Sequence, residues 1–241
     1  SDDLSEKYEI STAKNGQEAR ELLSKEPIQL VVSDIMMPVM DGYELCSRIK
    51  SNFEHSHIPV ILLTAKNTLQ SKIDGLELGA DAYIEKPFSP EHLQVQIANL
   101  LKNRNKIREY FASSPLVHIK TMAYSRADEA FLEKLNEAIY KNIDNTDLDV
   151  EHLADAMNMS RPTLYRKIKA ISNLTPHELI NITRLKKAAE LLAENEYRIY
   201  EISEMVGYSS QTHFGRNFSK QFGMSPSEYM HSKQENQNQS D

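Results

Sequence analysis

The sequence predicts two domains of different class, an α/β domain on a doubly wound parallel sheet and then an all-α domain with two helix-turn-helix motifs. Three observations carry this. Short β-rich apolar runs alternate with helical stretches from Tyr8 to about Leu101, as in a parallel sheet covered on both faces. Beyond a polar connector, every periodic segment is helical. The charge also divides: residues 1–100 hold 9 Lys and Arg against 16 Asp and Glu, whereas residues 160–233 hold 11 against 7, within a chain of net charge -7. At 241 residues and 40% hydrophobic, the chain can fill two small cores.

Strands are expected at residues 8–12, 30–33, 60–63 and 82–84, all short and mostly apolar. Helices are expected at 16–23, 42–50, 68–78 and 90–101; in the third, Leu69, Ile73 and Leu76 keep helical spacing and Gly79 supplies a stop. Residues 102–127 read as a linker, with Ser113-Ser114-Pro115 its clearest break. Phe131, Leu135 and Ile139 mark the next helix, followed by 150–157, 161–171, 176–192, 199–206 and 211–222. The expected domains are therefore 1–101, the linker 102–127, 128–232, and a Gln/Asn/Ser-rich tail at 233–241 whose composition suggests disorder.

The single cysteine, Cys46, excludes an intrachain disulfide and fits a reducing cytosol. No apolar run approaches the roughly 20 residues that span a bilayer, and no signal peptide is visible. A cytoplasmic chain without membrane contact is expected. Its first residue is Ser1 rather than Met, which suggests a piece of a longer polypeptide.

The all-α half states one pattern twice. Residues 153–160 lead into Arg161-Pro162-Thr163-Leu164-Tyr165-Arg166-Lys167-Ile168, and residues 202–210 lead into Gln211-Thr212-His213-Phe214-Gly215-Arg216-Asn217-Phe218. Ser160 and Ser210 are the expected N-caps, and Pro162 is tolerated in a first turn whose N–H groups lack intrahelical partners. Phe214, Phe218 and Phe222 form an inward stripe at i, i+4, i+8, which turns Gln211, Thr212, Gly215 and Arg216 outward. Gln pairs with adenine, Arg with guanine and Thr with a thymine methyl, while Gly permits close approach to a major groove.

This repeat, with Phe222-Gly223, Ser225-Pro226 and Tyr229, resembles the AraC/XylS family of transcription regulators over residues 130–231. The resemblance implies that both helices enter successive major-groove segments of double-stranded DNA. The first reader would present Arg161, Pro162, Tyr165, Arg166 and Lys169. The second would present Gln211, Thr212, Gly215 and Arg216, with Lys220 toward phosphate. Arg166 and Arg216 each suit a base edge or a phosphate.

In the α/β half, Asp34 ends the run 30–33, at the strand end where α/β folds place their chemistry. Other strands end in Thr64-Ala65 and in Tyr83-Ile84-Glu85-Lys86-Pro87, so a hydroxyl and an ammonium converge on the carboxylate. The combination, with Met36-Met37-Pro38 and Asp41-Gly42, resembles the receiver domain of response regulators over residues 8–101. It implies Asp34 as phosphoacceptor for a histidine kinase, Thr64 and Lys86 as contacts to the phosphoryl oxygens, Tyr83 as switch, and a cis Lys86-Pro87 bond. Mg²⁺ is expected of an intact receiver. Here Asp34 and the Met36 carbonyl are the candidate ligands, an incomplete set, because the acidic pair that ends a receiver's first strand has no counterpart before Tyr8. That strand and its helix are missing, and inefficient phosphorylation of the chain as it stands is expected.

A receiver joined to an AraC-type module occurs in stand-alone regulators and at the C-terminus of hybrid sensor kinases, and the compact fusion here favours the hybrid, whose parent could be anchored in the inner membrane. The resemblance then implies a non-enzymatic, phosphorylation-controlled transcription regulator that forms a homodimer when phosphorylated. Two alternatives stay open. One is a phosphotransfer or phosphatase-like enzyme with Asp34 as nucleophile; the other is a DNA binder whose receiver serves only for docking.

Overall fold

The computed structural model describes residues 2–65 and 77–238. The chain divides into two compact units, Ser1–Asn105 with Tyr124–Asp128, and Lys106–Ala123 with Glu129–Asp241. The helix expected over 68–78 lies, but for its last two residues, outside the described residues.

In the first unit a short helix α1 (Asp2–Ser5) precedes α2 (Gly16–Lys25), β1 (Val31–Asp34), α3 (Gly42–Ser51), β2 (Val60–Thr64), β3 (Ala82–Glu85) and α4 (Pro90–Ser113). The sheet is parallel, in the order β1-β2-β3. Alternation along β2 explains its two covered faces. Val60 and Leu62 join Leu23, Leu45, Cys46 and Ile49 from α2 and α3, while Ile61 joins Ile84 and, from α4, Leu93 and Ile97. This is the doubly wound arrangement expected from the sequence.

Residues 8–12 form no strand, contrary to expectation. A strand exists only by pairing, and the neighbour such a segment takes in a receiver, the first strand, has no counterpart among the described residues. A cavity of about 890 Å³ opens beside β1 instead, lined by Tyr8, Ile10, Leu22, Val32, Leu93 and Ile97 among others.

An ionic cluster joins distant parts of this unit. Asp81 accepts from Lys50 Nζ at 2.6 Å, from Arg104 Nη2 at 2.8 Å and from the Val60 amide at 2.8 Å. Arg104 also donates to the His57 carbonyl and lies 3.8 Å from the centroid of the Tyr124 ring. Ser56 Oγ donates to Asp128 Oδ1 at 2.7 Å, where Asp128 is fully buried. Residues 124–128 thus return to the first unit after the chain has left it at Asn105.

The second unit is helical. After a 3₁₀ turn at Ile119–Met122 come α5 (Arg126–Lys141), α6 (Val150–Met157), α7 (Arg161–Ser172), α8 (Pro176–Glu194), α9 (Ile199–Met205), α10 (Gln211–Phe222) and α11 (Pro226–Asn238). Helix α8 is the central beam: Leu185, Ala188, Ala189 and Leu192 are buried against Ile202, Val206, Phe214, Phe218 and Tyr229. Its start is fixed by a capping box between Thr175 and Glu178.

Residues 102–127 are more ordered than a linker would be, since α4 continues to Ser113 and Phe111, Ile119 and Met122 are buried. Ahead of them, Lys102, Asn103, Asn105 and Lys106 are exposed and hide the helical period. The composition-based tail is also helical through Asn238, as α11 continues past Tyr229. Gln, Glu and Lys favour helix once a turn is nucleated.

Candidate functional site

The strand register brings the receiver residues together. Asp34 lies opposite Leu63 and Thr64 opposite Glu85, so the ends of β1, β2 and β3 meet at one edge of the sheet. The Lys86 amide donates to the Thr64 carbonyl at 2.8 Å, which places the lysine beside the end of β2. Lys86 Nζ donates to Asp34 Oδ2 in an ion pair with both side chains about one-third exposed. The other oxygen, Oδ1, accepts from the Met36 amide at 3.2 Å. The Lys86-Pro87 bond is cis.

Thr64 is buried at 3% exposure beside this pair. Tyr83 packs, partly buried, against the core of α2 and α3. The loop after Asp34 is tight. Gly42 leaves no room for a side chain, since a Cβ there would lie 2.4 Å from the Asp34 carbonyl oxygen. Val39 takes φ 68, unfavourable for a β-branched residue, and is held by the Met40 amide donating to the Pro38 carbonyl at 2.7 Å.

Receiver domains generally bind Mg²⁺. Mg²⁺ demands near-octahedral oxygen coordination, and among the described residues no group of three His, Cys, Asp or Glu side chains is gathered to hold a metal. One Asp34 oxygen is already paired with Lys86. Asp34 and the Met36 carbonyl therefore do not make up a fitting site by themselves.

The two helix-turn-helix motifs close by the same backbone device. In the first, Asn158 adopts the left-handed conformation and the Met159 amide reaches back to the Ala154 carbonyl at 2.9 Å; in the second, Gly207 does so and the Tyr208 amide reaches the Ser203 carbonyl at 2.9 Å. Ser160 and Ser210 then cap α7 and α10. Equal turns give equal presentation. Arg161, Pro162, Tyr165, Arg166 and Lys169 are exposed on α7 while Leu164 and Ile168 are buried. On α10, Gln211, Thr212, Arg216 and Lys220 are exposed, Phe214 and Phe218 are buried, and a Cβ at Gly215 would meet nothing within 4 Å.

Two details go beyond the sequence reading. Lys169 donates to the Asn173 carbonyl at 2.7 Å, so it caps its own helix. Arg184 donates to the Ile143 and Asn145 carbonyls and lies against Gly207, where a Cβ would come within 2.5 Å of the Ile143 oxygen. An arginine that serves backbone carbonyls leaves no spacing signature in sequence.

A parallel α/β unit with a carboxylate, a hydroxyl and an ammonium at the ends of its strands is followed by tandem helix-turn-helix motifs. Residues 3–98 match the family model of the response regulator receiver domain, and residues 153–232 match that of a helix-turn-helix domain. The chain thus carries a response regulator receiver domain followed by a helix-turn-helix domain.

Among curated relatives, it is 40% identical over 226 residues to histidine kinase P4 of Formosa agariphila, covering 94% of this chain and 16% of that protein. It is 45% identical over 100 residues to the probable transcriptional regulator ycf27 of Porphyra purpurea, covering 42% of this chain and 40% of the regulator. The chain thus spans well under half the length of these relatives. A solved structure, the signal receiver domain of a signal transduction histidine kinase from Syntrophus aciditrophicus, is 37% identical, with TM-score 0.39, covering 42% of this chain and 76% of that one.

Proposed function

We propose that this chain is the output end of a two-component phosphorelay, in which an acyl phosphate on Asp34 controls sequence-specific DNA binding by α7 and α10. The carrying observation is the duplicated motif: two identically closed turns present two exposed, polar helix faces over buried stripes. Arg161, Tyr165, Arg166, Gln211, Thr212 and Arg216 are the base-edge candidates, with Lys220 for phosphate and Pro162 and Gly215 for close approach. Different residues on the two faces mean that the half-sites differ.

At the receiver, Asp34 Oδ1 is the less encumbered oxygen for attack on a phosphohistidine. The new O–P bond forms as the P–N bond breaks, and the imidazole leaves as the neutral base after taking up a proton. Lys86 then transfers its pairing to the phosphoryl oxygens and Thr64 donates to one of them, because the phosphoryl group carries about -1.5 to -2 charge in place of the single charge of the carboxylate.

The donor is a histidine kinase. The likeness to histidine kinase P4 supports a donor within one parent polypeptide, with this chain in the cytoplasm. No helix among the described residues is long and apolar enough to cross a membrane. Two phosphorylated copies pair on repeated sites, and the chain itself is a regulator rather than an enzyme.

The test is a binding titration on duplexes selected from a random library, with and without acetyl phosphate, using the chain extended at its start by a receiver's first strand and helix. Tighter binding with the donor, abolished by Asp34→Asn, is expected. Equal affinity in both states overturns phosphoryl control, and selection of no duplex overturns DNA binding.

A further inference from the structure

The helical unit is closed by residues that lie outside both helix-turn-helix motifs. Arg108, in the last part of α4, donates from Nε to the Ile171 carbonyl at 2.8 Å and from Nη2 to the Ala170 carbonyl at 2.7 Å. Those carbonyls belong to the last turn of α7, where intrahelical partners run out and a cation meets the negative end of the helix dipole.

At the other reader the direction reverses. Gln221, in the last turn of α10, donates Nε2 to the Ala112 carbonyl at 2.8 Å, in the last turn of α4. Between the two, Lys186 of α8 donates to the Ser114 carbonyl and sits 4.5 Å from the centroid of the Phe111 ring, which is 1% exposed. Burial pulls this lysine down to about 8. One short stretch, residues 108–114, therefore touches the helix of the first reader, the beam and the helix of the second reader.

We propose that residues 108–114 are a brace that fixes the offset between α7 and α10, with Arg108 and Gln221 as the positioning residues that set which spacing of half-sites the chain accepts. The proposal rests on the DNA-binding reading above. Two readers on one DNA face must match sites one helical turn apart, about 34–36 Å or 10–10.5 base pairs. A changed spacing displaces and rotates the second site. A rigid offset penalises that change, and a loosened one absorbs it.

The experiment uses the full chain and the duplexes it selects from a random library, re-synthesised with one base pair inserted or removed between the half-sites. The unaltered chain is expected to lose about tenfold or more in affinity on either change. The Arg108→Ala, Gln221→Ala double variant is expected to bind the original duplex less tightly and all three spacings within about threefold of one another, with base preference inside each half-site unchanged. Arg108→Lys, which keeps one donor, restores part of the discrimination.

An equal fold-loss at every spacing shows a merely structural role and overturns the proposal, as does a spacing profile like that of the unaltered chain. If the double variant does not fold by circular dichroism, Gln221→Glu, which sets a carboxylate against the Ala112 carbonyl, decides the matter on the same three duplexes. If the unaltered chain selects no duplex, the DNA-binding reading fails and the brace falls with it.

Discussion

Arg216 is exposed on a helix whose opposite stripe, Phe214 and Phe218, is fully buried, so its side chain can be removed without touching the core. Arg216→Ala is expected to cost about 1–3 kcal/mol of binding and to relax preference at one base position, read by comparing selected with single-mismatch duplexes. Lys220→Ala should instead weaken all sequences alike and reduce the salt slope by about 1. In the receiver, Gly42→Ala forces a Cβ into the Asp34 carbonyl. We expect destabilisation of about 1–3 kcal/mol by overpacking, with slower phosphorylation by acetyl phosphate. Asp34, Thr64 and Lys86 stand out in the sequence because strand ends gather chemistry, and in the fold Lys86 pairs with Asp34. Arg108 was not legible: it stands in Asn105-Lys106-Ile107-Arg108, and bonds from a polar run to backbone carbonyls depend on tertiary approach alone.

Helix ends were the most readable elements. Ser160 and Ser210 each announce a start by side-chain chemistry that acts within one turn. The segment 8–12 misled for the opposite reason, since a strand's existence is decided by a pairing partner outside the segment itself. Helix α4 was cut short at 101 because Lys102-Asn103-Arg104-Asn105 looks like a solvated linker, whereas Arg104 is 6% exposed and bound to Asp81. The beam α8 carries a pH signature. Lys186 is held at about 8 in the fold against 10.5 as a free side chain, the cause being burial. Between these values the folded chain has released the proton and the unfolded chain has not, so this group makes stability rise with pH from about 8 to about 10.5. Lys186→Met should flatten that rise in denaturant titrations at pH 7.5, 9 and 10; an unchanged slope would contradict the assignment.

At the scale of the molecule, the split into an acidic α/β part and a more basic helical part was legible from periodicity and charge, and both family models agree with it. The seam was not. The chain passes from the first unit to the second at Lys106, back at Tyr124 and over again at Glu129. A fragment 106–241 is therefore expected to melt cooperatively. One starting at residue 128, as the composition would suggest, should melt at lower temperature, because it lacks Phe111, Ile119 and Met122, each worth about 1.5–3 kcal/mol when buried. Beads on a string can be exchanged by a single cut and splice. A threaded seam cannot: any single cut inside residues 106–128 leaves residues of one unit on the far side of the cut from the rest of it.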